Sequence, residues 1–186
     1  MEPSVTPDRQ SLLKLETTAP HVYELLQNVE RTGWVERGVK NPETVKEHTE
    51  ALLKLADEMS EYLSVEETDG LLDMLEIHDW PEALHGDEVI LVTPDDDKKA
   101  LLEQKFKNEE RALEELCQEL PNKQEIIALW HRFETSDDPA AAFARQLDKY
   151  QAVEKAWEYE QAQGILLFQE FLTYSINFIH HPVLLE

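Results

Sequence analysis

Two histidines and two aspartates occupy positions where helical periodicity asks for apolar side chains. His48 shares a face with Leu52, Leu55 and Met59, at i+4, i+7 and i+11. His78 follows Leu71 and Leu75 by seven and three residues, and Asp79 follows Leu72 and Leu75 by seven and four. Asp148 has Ala144 and Ala152 one turn away on either side, small residues suited to close packing. A carboxylate in a core is costly unless it is paired, hydrogen-bonded or bound to a cation. Two imidazoles and two carboxylates from three apolar-faced helices therefore form a candidate metal cage. Imidazole nitrogen with carboxylate oxygen suits Mn, Fe(II), Co, Ni or Zn better than Ca or Mg, which favour all-oxygen shells. Four protein ligands on an octahedral ion leave two positions for water and substrate. The two carboxylates cancel the ion's charge, so a phosphate dianion would need cations of its own, and Arg31, Arg37, Lys40 and Lys46 are nearest in sequence. Spacing alone leaves a second reading open, in which the histidines are hydrogen-bonded members of the core.

The elements that must bring these groups together read as helices. Five glycines in 186 residues and few alternating β-branched runs argue against a sheet-rich protein. Asn41-Pro42-Glu43 offers an N-cap, a proline at the first helical position and an early acid, so a helix is expected from about 42 to 62. Ser64-Val65-Glu66-Glu67 reads as a capping box, and Leu71, Leu72, Leu75 and Ile77 carry a second helix up to Pro81. Thr93-Pro94-Asp95 opens a long charged helix that Pro121 ends, and a shorter one spans about 122–135. Asp138-Pro139 caps a helix through Ala140–Gln163, and Ile165–Ile179 forms a last apolar helix. The segments 33–41 and 84–93 are the main irregular connections. No repeat, low-complexity tract or linker divides the chain, so the expectation is one compact all-α domain.

Composition bounds the partners. The charge is −23, from 17 Lys+Arg against 40 Asp+Glu, a field that repels nucleic-acid polymers and anionic lipid. A small anion remains compatible where a metal and local cations reverse that field. Cys117 is the single cysteine, which excludes an intrachain disulfide and fits a reducing compartment. No apolar run approaches the roughly 18–20 residues of a membrane span. Met1-Glu2-Pro3-Ser4 lacks the basic and apolar pattern of a signal peptide, so the expected location is the cytoplasm.

The pair His78-Asp79, followed by Pro81-Glu82-Ala83 and Gly86-Asp87, resembles the signature helix of the HD-domain metal-dependent phosphohydrolases. Upstream, Arg31-Thr32-Gly33-Trp34, Arg37 and the segment Pro42-Glu43-Thr44-Val45-Lys46-Glu47-His48 are similar to the family's arginine loop and first histidine motif. Downstream, Leu129-Trp130, Phe133-Glu134 and Gln146-Leu147-Asp148-Lys149 follow the order of the 5′-deoxynucleotidase branch. The likeness runs from about 31 to 159, with 160–186 expected as a C-terminal helix packed on a single HD domain of residues 1–186. It implies a helical bundle holding one divalent transition metal ion (Mn, Co, Fe, Ni or Zn) on His48, His78, Asp79 and Asp148. It implies a catalytic role for Glu82, a catalytic or substrate-side role for Asp87, and phosphate binding by Arg31 or Arg37. Arg31 is favoured for phosphate and Trp34 for packing beside the nucleoside, with a salt bridge beneath the loop as the other reading of Arg37.

The resemblance has departures. Thr44 stands for the commoner serine, His131-Arg132 replaces acidic residues, and Glu88-Val89-Ile90-Leu91-Val92 is more apolar than the branch pattern. HD proteins with two metals require further histidines before the last aspartate, where His85 and His131 are the candidates here; one metal is the expectation. His180 and His181 read as surface residues and His21 as part of a helix start. Asp95-Asp96-Asp97 lacks the glycine and terminal glutamate of a calcium loop and reads as a charged helix start. Trp157, Tyr159, Phe168, Phe171 and Tyr174 read as core or a helix contact, or, where exposed, as a homodimer face. The activity implied is hydrolysis of deoxyribonucleoside 5′-monophosphates. The alternatives are an HD phosphohydrolase of nucleoside di- or triphosphates or modified nucleotides, and a non-catalytic nucleotide-binding module.

Overall fold

The computed structural model describes residues 19–89 and 97–185. Every regular element among them is helical, and one isolated antiparallel bridge joins Glu30 and Thr44. The helices are α1 (Pro20–Leu26), α2 (Thr32–Glu36), α3 (Val45–Met59), α4 (Val65–Thr68), α5 (Leu71–Ile77), α6 (Glu82–His85), α7 (Lys98–Leu116), α8 (Lys123–Thr135), α9 (Pro139–Gln163) and α10 (Phe168–Ser175). Short 3-10 turns cover Ser60–Tyr62 and Pro182–Leu184. None of the described helices is long and apolar enough to cross a membrane.

Helix α5 is the hub and packs on α3, α8 and α9. Its sequence is apolar nearly all round, and Leu71, Met74, Leu75 and Ile77 are each at most 2% exposed. Even its buried Glu76 is satisfied, by the Tyr23 hydroxyl of α1. On one side of the hub Leu26, Val45, Trp80, Leu113, Ile126 and Trp130 form a core that joins α1, α7 and α8. On the other, Leu52, Phe143, Leu147 and Ile179 bring α3, α9 and the C-terminal segment together. A third cluster, including Trp34, Val39, Ala156, Tyr159 and Leu167, seats the α2 loop on α9.

Local chemistry moves several boundaries from their sequence-based positions. Helix α3 starts at Val45, because Thr44 and Glu47 form the capping box while Asn41 adopts φ = 52° and Glu43 turns inward. It ends at Met59 and passes into the 3-10 turn. The Ser64 capping box is present, but its helix stops at Thr68, and Gly70 at φ = 69° separates it from α5. Helix α5 gives way at His78, and Glu82–His85 is a separate turn of helix. The last helix begins at Phe168, not 165, because the Glu160 carboxylate of α9 accepts the N–H groups of Leu167 and Phe168, both at 2.9 Å. The 122–135 and 140–163 expectations match α8 and α9 closely. The Thr93-Pro94 helix start, residues 90–92 of the apolar stretch and Asp95-Asp96 lie outside the described residues; Asp97 caps α7 through Ala100 N at 3.1 Å.

Candidate metal centre and active site

Three helices converge on one point. His48 projects from the first turns of α3 and is fully buried, His78 and Asp79 sit where α5 ends, and Asp148 lies on α9. His48 Nε2 is 3.3 Å from Asp148 Oδ1 and 3.7 Å from Asp79 Oδ2, and His78 Nε2 is 3.1 Å from the same Asp79 oxygen. His48, His78 and Asp148 each offer an atom within 4.8 Å of the others'. Asp79 is not one of those three, and its Oδ2 also accepts Arg31 Nη1 at 2.8 Å. Donors on adjacent corners of an octahedron with bonds of about 2.1 Å are about 3 Å apart, so these spacings fit a common ion.

The hydrogen-bonding state of the imidazoles is a stronger test of that fit. His78 Nδ1 lies 2.7 Å from the Leu75 carbonyl, which can only accept, so Nδ1 carries the hydrogen and the neutral ring presents a lone pair on Nε2. The Trp130 indole donates to the His78 carbonyl at 3.1 Å and fixes the backbone there. His48 Nδ1 faces Gln151 Oε1 at 2.9 Å. The Nε2 atoms of both rings are buried without a hydrogen-bond partner. Orphaned buried nitrogens aimed between two carboxylates are what a metal site needs and what a neutral core would avoid.

The electrostatics run the same way. Burial would raise the Asp79 carboxyl, but His78, Arg31 and His48 outweigh it and hold it well below the usual carboxylate range. Asp148 is likewise held low against its burial, by Lys149, whose Nζ is 2.8 Å from Oδ2, and by His48. Burial alone would lower the His78 pKa, yet the charges of Asp79 and Asp148 raise it. Glu82 behaves oppositely: burial, then the neighbouring charges of Asp79 and Asp87, lift its carboxyl well above the ordinary range, and its Oε2 has no hydrogen-bond partner.

These groups border a cavity of about 740 Å³, whose wall includes Arg31, Glu82, Asp87, Lys105, Arg145 and Lys149. A second cavity of about 400 Å³ shares Arg31, Asp87 and Lys149 and reaches Arg37 and Phe171. Five basic side chains, Arg31, Lys98, Lys105, Arg145 and Lys149, stand in the wall of the larger cavity among seven acidic ones.

The remaining candidates occupy distinct positions. Arg31 caps α2 beside Asp79, whereas Arg37 donates to the Gly33 carbonyl at 2.8 Å, pairs with Glu170 at 2.5 Å and stands over the Phe171 ring. Arg37 therefore ties the loop to α10, away from the imidazoles. Trp34 borders the smaller cavity but is 2% exposed, stacked on Phe171 at 4.4 Å and hydrogen-bonded to Glu43 at 3.0 Å. Asp87 accepts Thr32 N through Oδ2 at 2.6 Å, and its carbonyl accepts the Thr32 hydroxyl at 2.5 Å. His85 is exposed, and His131 pairs with Glu110 at 2.9 Å beside Phe106 and Trp130, so neither joins the cluster. His180 is exposed as expected, but His181 is not a plain surface residue: it pairs with Glu67 at 3.0 Å against Phe143. Sequence reasoning missed the parts played by Gln151, Glu43 and Thr32, and gave Lys149 no task.

Comparison with known proteins follows this geometry. The bovine 5′-deoxynucleotidase HDDC2 is 32% identical over 167 residues, covering 87% of this chain and 76% of that protein. The Dictyostelium discoideum 5′-deoxynucleotidase HDDC2 is 30% identical over 170 residues, covering 85% and 86%. The solved structure of the PH0347 protein from Pyrococcus horikoshii superposes with a TM-score of 0.68 at 22% identity over 90% of this chain and 92% of that one, a likeness of fold. The HD-domain family model matches residues 23–178, which include the convergent histidines and aspartates and the helices that carry them. The chain belongs to the HD-domain family.

Proposed function

We propose that this protein is a metal-dependent phosphomonoesterase that hydrolyses deoxyribonucleoside 5′-monophosphates to deoxynucleoside and phosphate. The observation that carries the proposal is the pair of orphaned, buried imidazole nitrogens between two carboxylates, opening on a cavity with Arg31 in its wall. The substrate class is supported by the relatives named 5′-deoxynucleotidase.

His48, His78, Asp79 and Asp148 would hold one divalent transition ion of the Mn, Fe, Co, Ni or Zn type. When bound, such an ion polarises a phosphoryl oxygen and makes water nucleophilic near neutral pH. The chain's own residues account for the rest. Arg31 spends one donor on Asp79 at 2.8 Å, and its other N–H groups would take the equatorial phosphate oxygens. Lys149, paired with Asp148 at 2.8 Å, and Lys105, paired with Glu109 at 3.4 Å, offset part of the acidic charge that a dianion meets in this wall. Glu82, kept protonated by burial and neighbouring carboxylates, gives its proton to the departing 5′-oxygen as the phosphorus–oxygen bond breaks. Asp87 holds Thr32, and through it the arginine loop, at the cavity mouth. Cytoplasmic location and a homodimer across the exposed rings of Trp157, Tyr174 and Phe178 complete the proposal.

The test is a phosphate-release panel of deoxy- and ribonucleoside mono- and triphosphates with added Mn or Co. Deoxyribonucleoside monophosphates should release inorganic phosphate. Pyrophosphate or tripolyphosphate released from triphosphates would overturn the monophosphate assignment in favour of a triphosphohydrolase. Glu82→Ala should keep its metal and lose about 10²- to 10⁴-fold in turnover; full activity would remove Glu82 from the mechanism.

A further inference from the structure

We infer that Gln151 and Glu43 are positioning residues for His48, a two-bond relay that dictates which imidazole nitrogen carries the hydrogen. The inference rests on the reading of His48 as a metal ligand and extends it inward from the site. Both carboxylate oxygens of Glu43 are occupied as acceptors: Oε1 takes Trp34 Nε1 at 3.0 Å and Oε2 takes Gln151 Nε2 at 3.2 Å. A carboxylate has no hydrogen to give, so the end of Gln151 that faces it must be the NH₂ group. That orients the Gln151 carbonyl oxygen toward His48 Nδ1, 2.9 Å away. An amide oxygen only accepts, so the hydrogen sits on Nδ1 and the lone pair on Nε2, the nitrogen that points at Asp148.

The relay is built rigidly. His48, Gln151 and Glu43 are 0%, 3% and 5% exposed, so water cannot substitute for a missing partner. Glu43 is fixed by its backbone N–H, which donates to the Tyr159 hydroxyl at 2.7 Å, and Lys155 Nζ lies 3.8 Å from its Oε2. Trp34 is in turn clasped by Phe171 and Tyr159. Gln151 stands one helical turn beyond Asp148, so α9 supplies both a ligand and the group that orients the opposing ligand. His78 needs no such chain because a backbone carbonyl does the same work for it. Partners of this kind on the far nitrogen of a ligating histidine typically govern affinity by roughly 10- to 100-fold.

Two variants test the relay. Gln151→Leu removes the acceptor. Glu43→Gln keeps the shape but offers one oxygen to two donors, Trp34 and Gln151, so Gln151 either meets a donor or flips and turns its NH₂ toward His48 Nδ1. The readouts are ¹⁵N shifts of the histidine rings in metal-free protein, at a pH where the imidazoles are neutral, and the Mn or Zn dissociation constant by chelator competition. The wild type should show His48 protonated on Nδ1 and bare on Nε2. Both variants should lose that bias and weaken the metal roughly 10- to 100-fold, while the His78 signals stay put. If Gln151→Leu fails to fold, Glu43→Gln carries both readouts. A wild-type His48 protonated on Nε2, an unchanged tautomer in the folded variants, or an affinity within about threefold of wild type would each overturn the relay. The ring shifts are read without any ion, which separates the two ideas. A wild type with the stated tautomer but no metal affinity would sink the ligand reading alone. Metal binding that His48→Ala weakens but both variants spare would sink the relay alone.

Discussion

Asp138 anchors the start of the helix that carries Asp148, and its replacement should separate two kinds of stabilisation. Its Oδ1 caps α9 by accepting Ala141 N at 3.1 Å, and its two oxygens accept Arg132 Nε and Nη2, both at 2.9 Å. Asn caps a helix as well as Asp does, but it cannot receive a guanidinium with both atoms. Asp138→Asn should therefore keep the cap but lose the ion pair and, at Oδ2, the acceptor of the Ser136 hydroxyl at 2.7 Å, which can turn to water. With side-chain exposures of 26% and 30%, that pair is worth about 1 kcal/mol. Asp138→Ala should lose the cap as well, another ~1 kcal/mol, for a total of about 2 kcal/mol. For a chain of this length those losses correspond to drops of roughly 2–4 °C and 4–8 °C in Tm. The hydrogen bonds from Arg132 hold the Asp138 carboxyl below its unfolded value, so its contribution is complete above about pH 4 and fades as the pH falls through the folded pKa. The gap between wild type and Asp138→Asn should therefore begin to narrow below about pH 4 and go on narrowing toward the depressed folded pKa, so that it is smaller at pH 3 than at pH 7. Denaturant unfolding followed by far-UV circular dichroism from pH 7 to 3 measures it. An asparagine variant as weak as the alanine variant, or a gap that persists undiminished at pH 3, would refute the division.

Further outcomes follow from the same geometry. Metal at a hundredfold excess over its Kd should stabilise the wild type by about 2.7 kcal/mol, a Tm rise of roughly 5–10 °C; Asp148→Ala should abolish most of that rise in a thermal melt while leaving the metal-free melt nearly unchanged, since Lys149 is 39% exposed and can turn to water. Gly70→Ala should cost roughly 1–2 kcal/mol, because φ is 69° and the new Cβ would lie 2.9 Å from Arg132 Nη1. Arg132 serves Asp69 as well as Asp138, so Gly70→Ala and Asp138→Ala should be non-additive in a double-mutant cycle. Arg31→Met should raise KM for a nucleotide monophosphate more than it lowers metal affinity, read by initial rates beside chelator competition.

How far the sequence could be read depended on whether each feature was local. The helices α8 and α9 were legible because their caps and breakers, Asp138-Pro139 and Gly164 among them, lie within the segments they delimit. The start of α10 was not, because it is fixed by Glu160 from another helix. Helix α3 was expected to start at Asn41-Pro42, but the Thr44–Glu47 box starts it at Val45 by satisfying two orphan N–H groups at once. At the site, the four clustered residues stood out because charged or imidazole groups interrupted apolar stripes. Gln151 and Glu43 gave no such contrast: a glutamine on a long helix and a glutamate in a motif look like surface residues until the fold buries them together. Arg31 and Arg37 were indistinguishable by type, and only the three-dimensional positions of Asp79 and Glu170 part them.

The double link between Thr32 and Asp87 has a mechanical consequence. It fastens two loops 55 positions apart in the chain into a single rim, with the guanidinium of Arg31 on one bank and the turn after Gly86 on the other. A change on either bank is therefore transmitted across the opening. Shortening or recharging the turn displaces the arginine, and loss of the threonine hydroxyl slackens the turn. Engineering aimed at admitting a bulkier ligand through that gateway will shift the Arg31 guanidinium at the same stroke, unless both banks are redesigned as one piece.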